Sequence, residues 1–235
     1  MQTDMDAWWQ SKTGAYLQKQ ERAALDQALP TIFGYYLVQA GCWWSLGGVL
    51  ESSPIRTRVV VGAAGTPSAT VVGDPLYLPF QSDAVDAVLL PHTLERVSEP
   101  EQVLREAERV LRGEGHLIVL GFHPWSAWGM RRYLGPAPVW SGRFLRLARL
   151  SEWLTVLGFE TVSVRHLLFR PPWQQRSLLV RSAFLDRLAW RLLAGAYVIV
   201  ARKRVFSMTP LMARQRARPQ RAFGSMVKPT TRGLP

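Results

Sequence analysis

The fold is decided by residues 85–122, which read VDAVLLPHTLERVSEPEQVLREAERVLRGEGHLIVLGF. Residues 85–90 and 115–122 are nearly unbroken apolar runs of the length of buried strands. A helix is predicted between them, because Ser98 and Glu101 form an S-x-x-E capping pattern ahead of an apolar face. That face consists of Val103, Leu104, Ala107, Val110 and Leu111. A strand, a helix and a second strand in this order predict two parallel strands joined by a crossover helix.

The same pattern extends to both sides of this unit. Further strands are predicted at residues 35–41, 58–62, 69–73, 161–169 and 196–205. Further helices are predicted at residues 5–28, 143–157 and 177–194. Near-continuous apolar strands that alternate with helices predict an α/β fold, a Rossmann-like three-layer sandwich with a mostly parallel twisted sheet and helices on both faces. The predicted organisation is an N-terminal helical segment at 1–30, the α/β domain at 31–205 and a basic, disordered tail at 206–235.

Charge is unevenly distributed along the chain. The 235 residues carry 29 Lys+Arg and 17 Asp+Glu, a formal net charge of +12, but no acidic residue follows Asp186. Residues 187–235 hold 11 basic side chains, so residues 1–186 are nearly neutral. A neutral domain suits a small-molecule pocket better than a long phosphate-binding surface. A nucleic acid bound through the tail is therefore an alternative that we do not favour, and a solvated tail is the simpler interpretation.

Composition excludes several classes of protein. The single cysteine, Cys42, rules out an internal disulfide and a thiolate zinc cluster. The four histidines show no close metal-ligand spacing, so no metal is expected. The N-terminus lacks the basic and apolar regions of a signal peptide, and charges interrupt the most apolar stretch, at residues 178–200. We therefore expect a cytoplasmic protein without a membrane span.

Candidate site residues follow the predicted strands. In an open parallel sheet, ligands bind beyond the carboxyl ends of the strands. The first predicted strand ends at Gly41, and the third, fourth and fifth predicted strands are followed by Asp74, His92 and His123, respectively. Aromatic side chains that could form apolar walls for a ligand lie at Trp43, Phe80, Trp125 and Trp128.

The order of these motifs resembles the class I S-adenosylmethionine-dependent methyltransferases of the type 11 family. The matching stretches are GDPLYLPF at 73–80, SDAVDAV at 82–88, HTLE at 92–95 and VLREAERVL at 103–111, which runs into GHL at 115–117. The family pattern is an acidic residue, a Leu-Pro-Phe segment, a run into the fourth strand and a helix that closes with R-V-L-x-x-G-G. The segment after residue 121, which contains His123 and Trp125, resembles a bacterial subgroup of such proteins.

The resemblance implies an S-adenosylmethionine-dependent methyltransferase with this cofactor and a small-molecule acceptor. By that resemblance, Asp74 would lie near the adenine amino group, and Pro75 and Leu76 along the adenine face. Gly41 would be the first glycine of motif one, with Cys42 and Trp43 beside it at the cofactor. His92 would contact the cofactor or act as a catalytic base, and His123 and Trp125 would lie beside the acceptor.

Motif one departs from the family pattern of acid-x-Gly-x-Gly-x-Gly. Gln39 stands in place of the acid, and Trp43 and Ser45 stand in place of the second and third glycines. The second predicted strand ends without the expected acid, and the connection at 62–68 is too short for the usual helix. A non-catalytic module that has kept the fold and lost the cofactor is therefore the alternative to an active enzyme.

Structural roles compete with the functional ones at individual residues. Asp74 is also suited to capping a turn before Pro75. A histidine with satisfied hydrogen bonds at a strand end is a slightly better interpretation of His92 than a base. Trp43 is more typical of core packing than of cofactor stacking. Glu95 is expected to be a cap or a solvated side chain, with a substrate contact as the less favoured alternative. For residues 123–126, a lid over the substrate and plain packing are equally good interpretations.

Overall fold

Strand β4, Val85–Pro91, lies at the centre of the sheet and is buried at all seven residues, as its unbroken apolar run predicts. The computed structural model describes residues 11–41, 49–66, 68–124, 143–167 and 195–205. Within them, the other strands are β1 Tyr36–Ala40, β2 Thr57–Gly62, β3 Val71–Val72, β5 Leu111–Phe122, β6 Phe159–Leu167 and β7 Ala196–Lys203. The helices are α1 Lys12–Ala28, α2 Pro100–Val110 and α3 Leu147–Val156.

The seven described strands form one sheet in the order β3-β2-β1-β4-β5-β7-β6. Strands β3, β2, β1, β4 and β5 are parallel to one another. Strand β7 lies between β5 and β6 and is antiparallel to both. The sheet is therefore mostly parallel, which confirms the predicted fold class, and the carboxyl ends of β1, β4 and β5 meet at one edge.

The described helices cover both faces of the sheet. Helix α1 packs on one face, where its Leu17 and Leu25 share an apolar cluster with Leu37 of β1 and Leu89 of β4. Helices α2 and α3 pack on the other face, against the side chains of the alternate strand residues. Each face thus buries its own apolar cluster, as in a three-layer sandwich.

Local details differ from the sequence expectations. The predicted capping box does not form: the N-cap residue of α2 is Glu99, which makes no side-chain capping hydrogen bond, and Pro100 begins the helix. Strand β3 is shorter than predicted, and β5 begins at Leu111 rather than at residue 115. The described part of the β2–β3 connection contains turns rather than a helix, with Thr66 N donating to Ala63 O over 3.2 Å. This confirms the short connection expected from the sequence.

The chain separates into two units, Met1–Val205 and Phe206–Pro235. The second unit, and with it the prediction of a disordered basic tail, lies outside the described residues, as does the helix predicted at 177–194. The proposed three-part domain organisation remains a prediction. None of the described helices has the length and hydropathy of a membrane-crossing segment.

Candidate functional site

The carboxyl edge of the sheet brings together three of the predicted site residues. Gly41 directly follows β1, His92 directly follows β4, and His123 directly follows β5. Because these three strands are neighbours in the sheet, their ends form one continuous rim. In open parallel sheets, ligands bind at this rim, next to the strand from which the chain continues in opposite directions along the sheet. Here that strand is β1, with β2 on one side and β4 on the other.

Gly41 has a backbone conformation that only glycine adopts readily. Its φ is +94°, and a Cβ atom at this position would lie 2.6 Å from Oγ1 of Thr93. Thr93 Oγ1 in turn donates a 2.6 Å hydrogen bond to the Ala40 carbonyl, which ties the end of β1 to the segment after β4. The main chain at Gly41 therefore carries no side chain at the rim, as close approach of a ligand requires.

Gln39 occupies the motif-one position where the family has an acid, and its side chain is buried. Its Nε2 donates a 3.1 Å hydrogen bond to the carbonyl oxygen of Gly41. A carboxylate at position 39 would lack the hydrogen that this contact needs, because it is an acceptor only. The amide thus supports the Gly41 turn but brings no negative charge to the rim.

A buried ionic cluster lies directly behind the rim. His92 is fully buried, with Nε2 2.7 Å from Oε1 of Glu21 and Nδ1 3.1 Å from Oε2 of Glu95. Glu21 comes from α1, and Glu95 follows His92 by one turn of the chain. The His92 backbone has a φ of +51°, and the imidazole ring stacks at 4.4 Å on Phe122 at the end of β5. The cluster therefore joins α1, β4 and β5.

The two carboxylates hold His92 in its charged form. Burial, the largest single influence, favours the neutral ring, but the charges and hydrogen bonds of Glu21 and Glu95 together outweigh it and raise the pKa of His92 to about 9. Burial also raises the pKa of Glu95, against the opposing charge of His92. At neutral pH both ring nitrogens of His92 are protonated and both donate to carboxylates. In this arrangement, neither nitrogen has a lone pair with which to act as a base.

Glu95 has a structural role that the sequence interpretation missed. It was expected to be a cap or a solvated side chain, yet only 5% of it is exposed. Its Oε1 accepts a hydrogen bond from the backbone N–H of Phe122, and its carbonyl oxygen accepts one from Arg143 over 2.9 Å. Glu95 therefore fixes the end of β5 and the start of the segment that leads to α3.

Asp74 forms the turn that its position before proline suggested. Its Oδ1 accepts a 2.9 Å hydrogen bond from the backbone N–H of Leu76, and its carbonyl accepts one from Tyr77. Asp74 is exposed, and Pro75 and Leu76 are half-buried beside it. The turn presents all three residues beyond β3, so the predicted adenine contact is compatible with this geometry and stays a prediction.

The Leu-Pro-Phe segment is held in place from α2. Arg109 donates to the carbonyl oxygens of Leu78 at 3.0 Å and Phe80 at 2.9 Å. Glu106 accepts a 3.0 Å hydrogen bond from the backbone N–H of Leu78, and Arg109 pairs with Glu106 at 2.8 Å. Glu106 and Arg109 of α2 thus hold the loop that contains Leu78 and Phe80 next to the predicted adenine site. These contacts give a physical reason for the E-x-x-R spacing, which the sequence alone did not explain.

His123 lies at the rim beyond β5, on the side where the acceptor is expected. It is half-buried, and its backbone N–H donates to the Gly195 carbonyl at 2.9 Å. Burial, followed by the charges of His166 and Arg146, lowers the pKa of His123. The neighbouring candidate Trp125, and the motif-one candidates Cys42 and Trp43, lie outside the described residues.

The chemistry of the rim fits S-adenosylmethionine in two respects. Gly41 has no side chain that could come between its main chain and a ligand, and the Thr93 contact excludes any larger residue at this position. Behind it, the carboxyl groups of Glu21 and Glu95 share the single imidazole ring of His92, so the cluster has more acceptor oxygens than that ring can serve, which suits a ligand that carries N–H donors. Among the described residues, Glu21 Oε2 is buried without a hydrogen-bond partner.

Comparisons with known proteins agree with this geometry. Residues 55–119 match the methyltransferase domain family. The chain is 32% identical over 211 residues to the uncharacterised protein YafS of Escherichia coli K12, in an alignment that covers 87% of this chain and 83% of that protein. A shorter region of 67 residues is 37% identical to the ubiquinone/menaquinone biosynthesis C-methyltransferase UbiE of Cereibacter sphaeroides, and covers 27% of each protein.

The fold is similar to that of solved structures. A SAM-dependent methyltransferase of Thermotoga maritima superimposes with a TM-score of 0.62 at 20% identity, over 85% of this chain and 94% of that chain. The similarity to YafS and to this structure therefore reaches well beyond residues 55–119.

Proposed function

This chain belongs to the class I S-adenosylmethionine-dependent methyltransferases of the type 11 family, and from that membership we propose that it transfers a methyl group from S-adenosylmethionine to a small-molecule acceptor. The observation that carries the proposal is the rim at Gly41, where a glycine with a φ of +94° follows β1 and leaves no room for a side chain of its own beside Thr93. The nearly neutral charge of residues 1–186 supports a small acceptor.

Each rim residue has a proposed part in binding. The main chain of Gly41, followed by Cys42 and Trp43, lies against the methionine and ribose end of the cofactor. The exposed Asp74 carboxylate accepts a hydrogen bond from the adenine amino group, while Pro75 and Leu76 form an apolar surface along the ring. Arg109 supports this surface indirectly, because it holds the carbonyl groups of Leu78 and Phe80.

The bound cofactor supplies an electrophilic methyl group on a sulfonium ion. Methyl transfer is an in-line displacement, so the protein contributes chiefly by orienting the acceptor and excluding water. His92 is proposed here as a positioning residue rather than a base, because both of its ring nitrogens donate to carboxylates. His123 and Trp125 are proposed to contact the acceptor, with His123 neutral at pH 7 because burial lowers its pKa.

Calorimetric titration with S-adenosylmethionine and with S-adenosylhomocysteine tests the cofactor proposal. We expect saturable binding of both ligands and a rise in melting temperature, since ligands that bind the folded state stabilise it. An absence of heat and of any thermal shift at millimolar ligand would overturn the proposal.

A non-catalytic methyltransferase-like module is the second candidate. It is favoured by the neutral Gln39 in motif one and by the short β2–β3 connection without the usual acid. The two candidates make opposite predictions in the same titration, because a module that has lost the cofactor gives no signal with either ligand.

A further inference from the structure

Glu21 is a carboxylate on the apolar face of α1. It lies one helical turn after Leu17 and one turn before Leu25, and both of those leucines are fully buried against the sheet. Only 1% of Glu21 is exposed. An acidic residue at such a position costs free energy unless its oxygen atoms have partners.

Only one of its two carboxylate oxygens has such a partner. Oε1 lies 2.7 Å from His92 Nε2, whereas Oε2 is buried and has no hydrogen-bond donor among the described residues. His92 also serves Glu95, so one imidazolium is shared between two carboxyl groups. A second cation that carries N–H groups would complete the cluster.

Glu21 and Gln39 lie on facing surfaces of α1 and β1. Side chains alternate along a strand, so Gln39 shares a sheet face with Leu37. Leu37 belongs to the apolar cluster that α1 covers, whereas the intervening Val38 belongs to the cluster on the opposite face. The buried carboxylate on α1 therefore stands over the same face as the neutral amide that replaces the motif-one acid.

The ligand atoms closest to this place are those of the methionine moiety, if the cofactor lies along Gly41 as proposed above. Thr93 follows His92 directly, and its Oγ1 contacts the strand end at Ala40. The methionine moiety carries an ammonium group with three N–H donors, whereas the sulfonium has none. Because Glu21 Oε2 is an acceptor that lacks a donor, its expected partner is the ammonium group rather than the sulfonium.

We propose that Glu21 supplies, from α1, the carboxylate that motif one places at position 39 in related proteins, and that its Oε2 accepts a hydrogen bond from the ammonium group of the cofactor. This inference rests on the proposed function. It assigns part of the cofactor site to a helix that lies outside the matched segment 55–119.

Two ligands that differ in the amino-acid moiety test the proposal. S-Adenosylhomocysteine carries the ammonium group, whereas 5′-methylthioadenosine is the same adenosine thioether without the amino acid. In calorimetric titrations, the Glu21→Gln variant is expected to bind S-adenosylhomocysteine about ten- to a hundredfold more weakly, as for a lost charge-assisted hydrogen bond. Its affinity for 5′-methylthioadenosine is expected to stay within about twofold. Glutamine keeps the size of the side chain and one oxygen for His92.

A further variant separates the position of the charge from general effects. Asp26→Asn removes a carboxylate from the same helix, at an exposed position where Asp26 contacts Ser52, and should leave both affinities unchanged.

Several outcomes would overturn the proposal. One is a Glu21→Gln protein that binds S-adenosylhomocysteine as the wild type does; another is a Glu21→Gln protein that loses as much affinity for 5′-methylthioadenosine as for S-adenosylhomocysteine. If Glu21→Gln does not fold, the wild-type protein still tests the proposal. Equal wild-type affinity for S-adenosylhomocysteine and 5′-methylthioadenosine would contradict a contact with the ammonium group. If the wild-type protein binds none of S-adenosylmethionine, S-adenosylhomocysteine and 5′-methylthioadenosine, the proposed function itself is overturned. If the wild-type protein binds them and the Glu21→Gln variant binds them equally well, only this inference is overturned.

Discussion

Gly41 and Thr93 are packed so tightly that a Cβ atom on Gly41 would lie 2.6 Å from the Thr93 hydroxyl oxygen. The contact joins the ends of two neighbouring strands, β1 and β4, at the rim where the cofactor is proposed to bind. The same hydroxyl donates to the carbonyl of Ala40, so Thr93 holds the strand end and also fills the space beside the glycine. Any side chain at position 41 must displace Thr93 or the main chain.

Gly41→Ala should destabilise the protein by about 2–4 kcal/mol and weaken S-adenosylhomocysteine binding at least about tenfold. The free-energy costs of the left-handed backbone conformation and of the steric overlap with Thr93 are expected to add. Gly65→Ala is the matched control. Gly65 also has a positive φ, of +83°, but a Cβ atom there would meet nothing within 4 Å. It should cost only about 1–2 kcal/mol, the strain of the left-handed conformation. Equal losses of stability in the two variants, measured by urea unfolding, would contradict the role of Thr93.

His92→Gln should destabilise the protein by about 3–5 kcal/mol, because it removes the cation from between two buried carboxyl groups. His116→Gln is a suitable control, since His116 is a half-buried strand histidine that lies away from this cluster. Its replacement should cost about 1 kcal/mol or less. A His92 variant as stable as the control would show that the ionic cluster contributes little to folding.

Stability should fall as the pH rises from about 6.5 to about 9. The pKa of His92 is raised in the folded protein from 6.5 to about 9, so its contribution is complete below 6.5 and is lost as the pH passes through 9. The expected loss is on the order of 3 kcal/mol. Urea unfolding at several pH values up to 9.5 measures it. The His92→Gln protein should have a flatter profile over this range, and an unchanged slope would contradict the assignment to His92.

Asp74→Ala should weaken S-adenosylhomocysteine binding about tenfold if the carboxylate contacts adenine. Asp74→Asn serves as the comparison, since its side-chain oxygen is still able to accept the hydrogen bond from Leu76 and to keep the turn. Both variants should unfold within about 1 kcal/mol of the wild type, because Asp74 is exposed. If calorimetry finds wild-type affinity in the alanine variant, Asp74 serves the turn alone.

Arg109→Ala should lower the free energy of unfolding by about 1–2 kcal/mol, because the carbonyl groups of Leu78 and Phe80 lose their donor. We also expect weaker binding of 5′-methylthioadenosine, which probes the adenosine part of the site. Arg105→Ala, at an exposed position of the same helix, should change neither quantity measurably. If the two variants have the same free energy of unfolding in urea and the same affinity for 5′-methylthioadenosine in calorimetry, Arg109 has no supporting role.

Much of the sheet could be predicted because its strands are buried on both faces and therefore read as unbroken apolar runs. Strands β1, β2, β4 and β7 lie within about two residues of their predicted bounds. The start of α2 was misassigned, because Ser98 and Glu101 match a capping pattern that the structure replaces with Glu99 before Pro100. A short pattern of this kind carries less information than an apolar run.

The candidate site was only partly predictable, because its buried ionic partners are far apart in the sequence. Gly41, Asp74, His92 and His123 were proposed from their positions at the ends of strands, but Glu21 was missed and Glu95 was taken for a cap or a solvated residue. Glu21 did leave a signal. It falls on the apolar face of α1 between Leu17 and Leu25, where a charged residue indicates a buried partner. Which partner that is depends on the packing of α1 on the sheet, and the sequence does not state it.

The position of β7 has a consequence for how the protein is made. In the sheet as described, β6 pairs with β7 alone, so the nine residues of β6 have no neighbouring strand until residues 196–203 leave the ribosome. Until then β5 also presents an unpaired apolar edge, which is a site for association between nascent chains. Completion of the sheet therefore waits until β7 has been synthesised, and a chain interrupted before residue 196 should be insoluble.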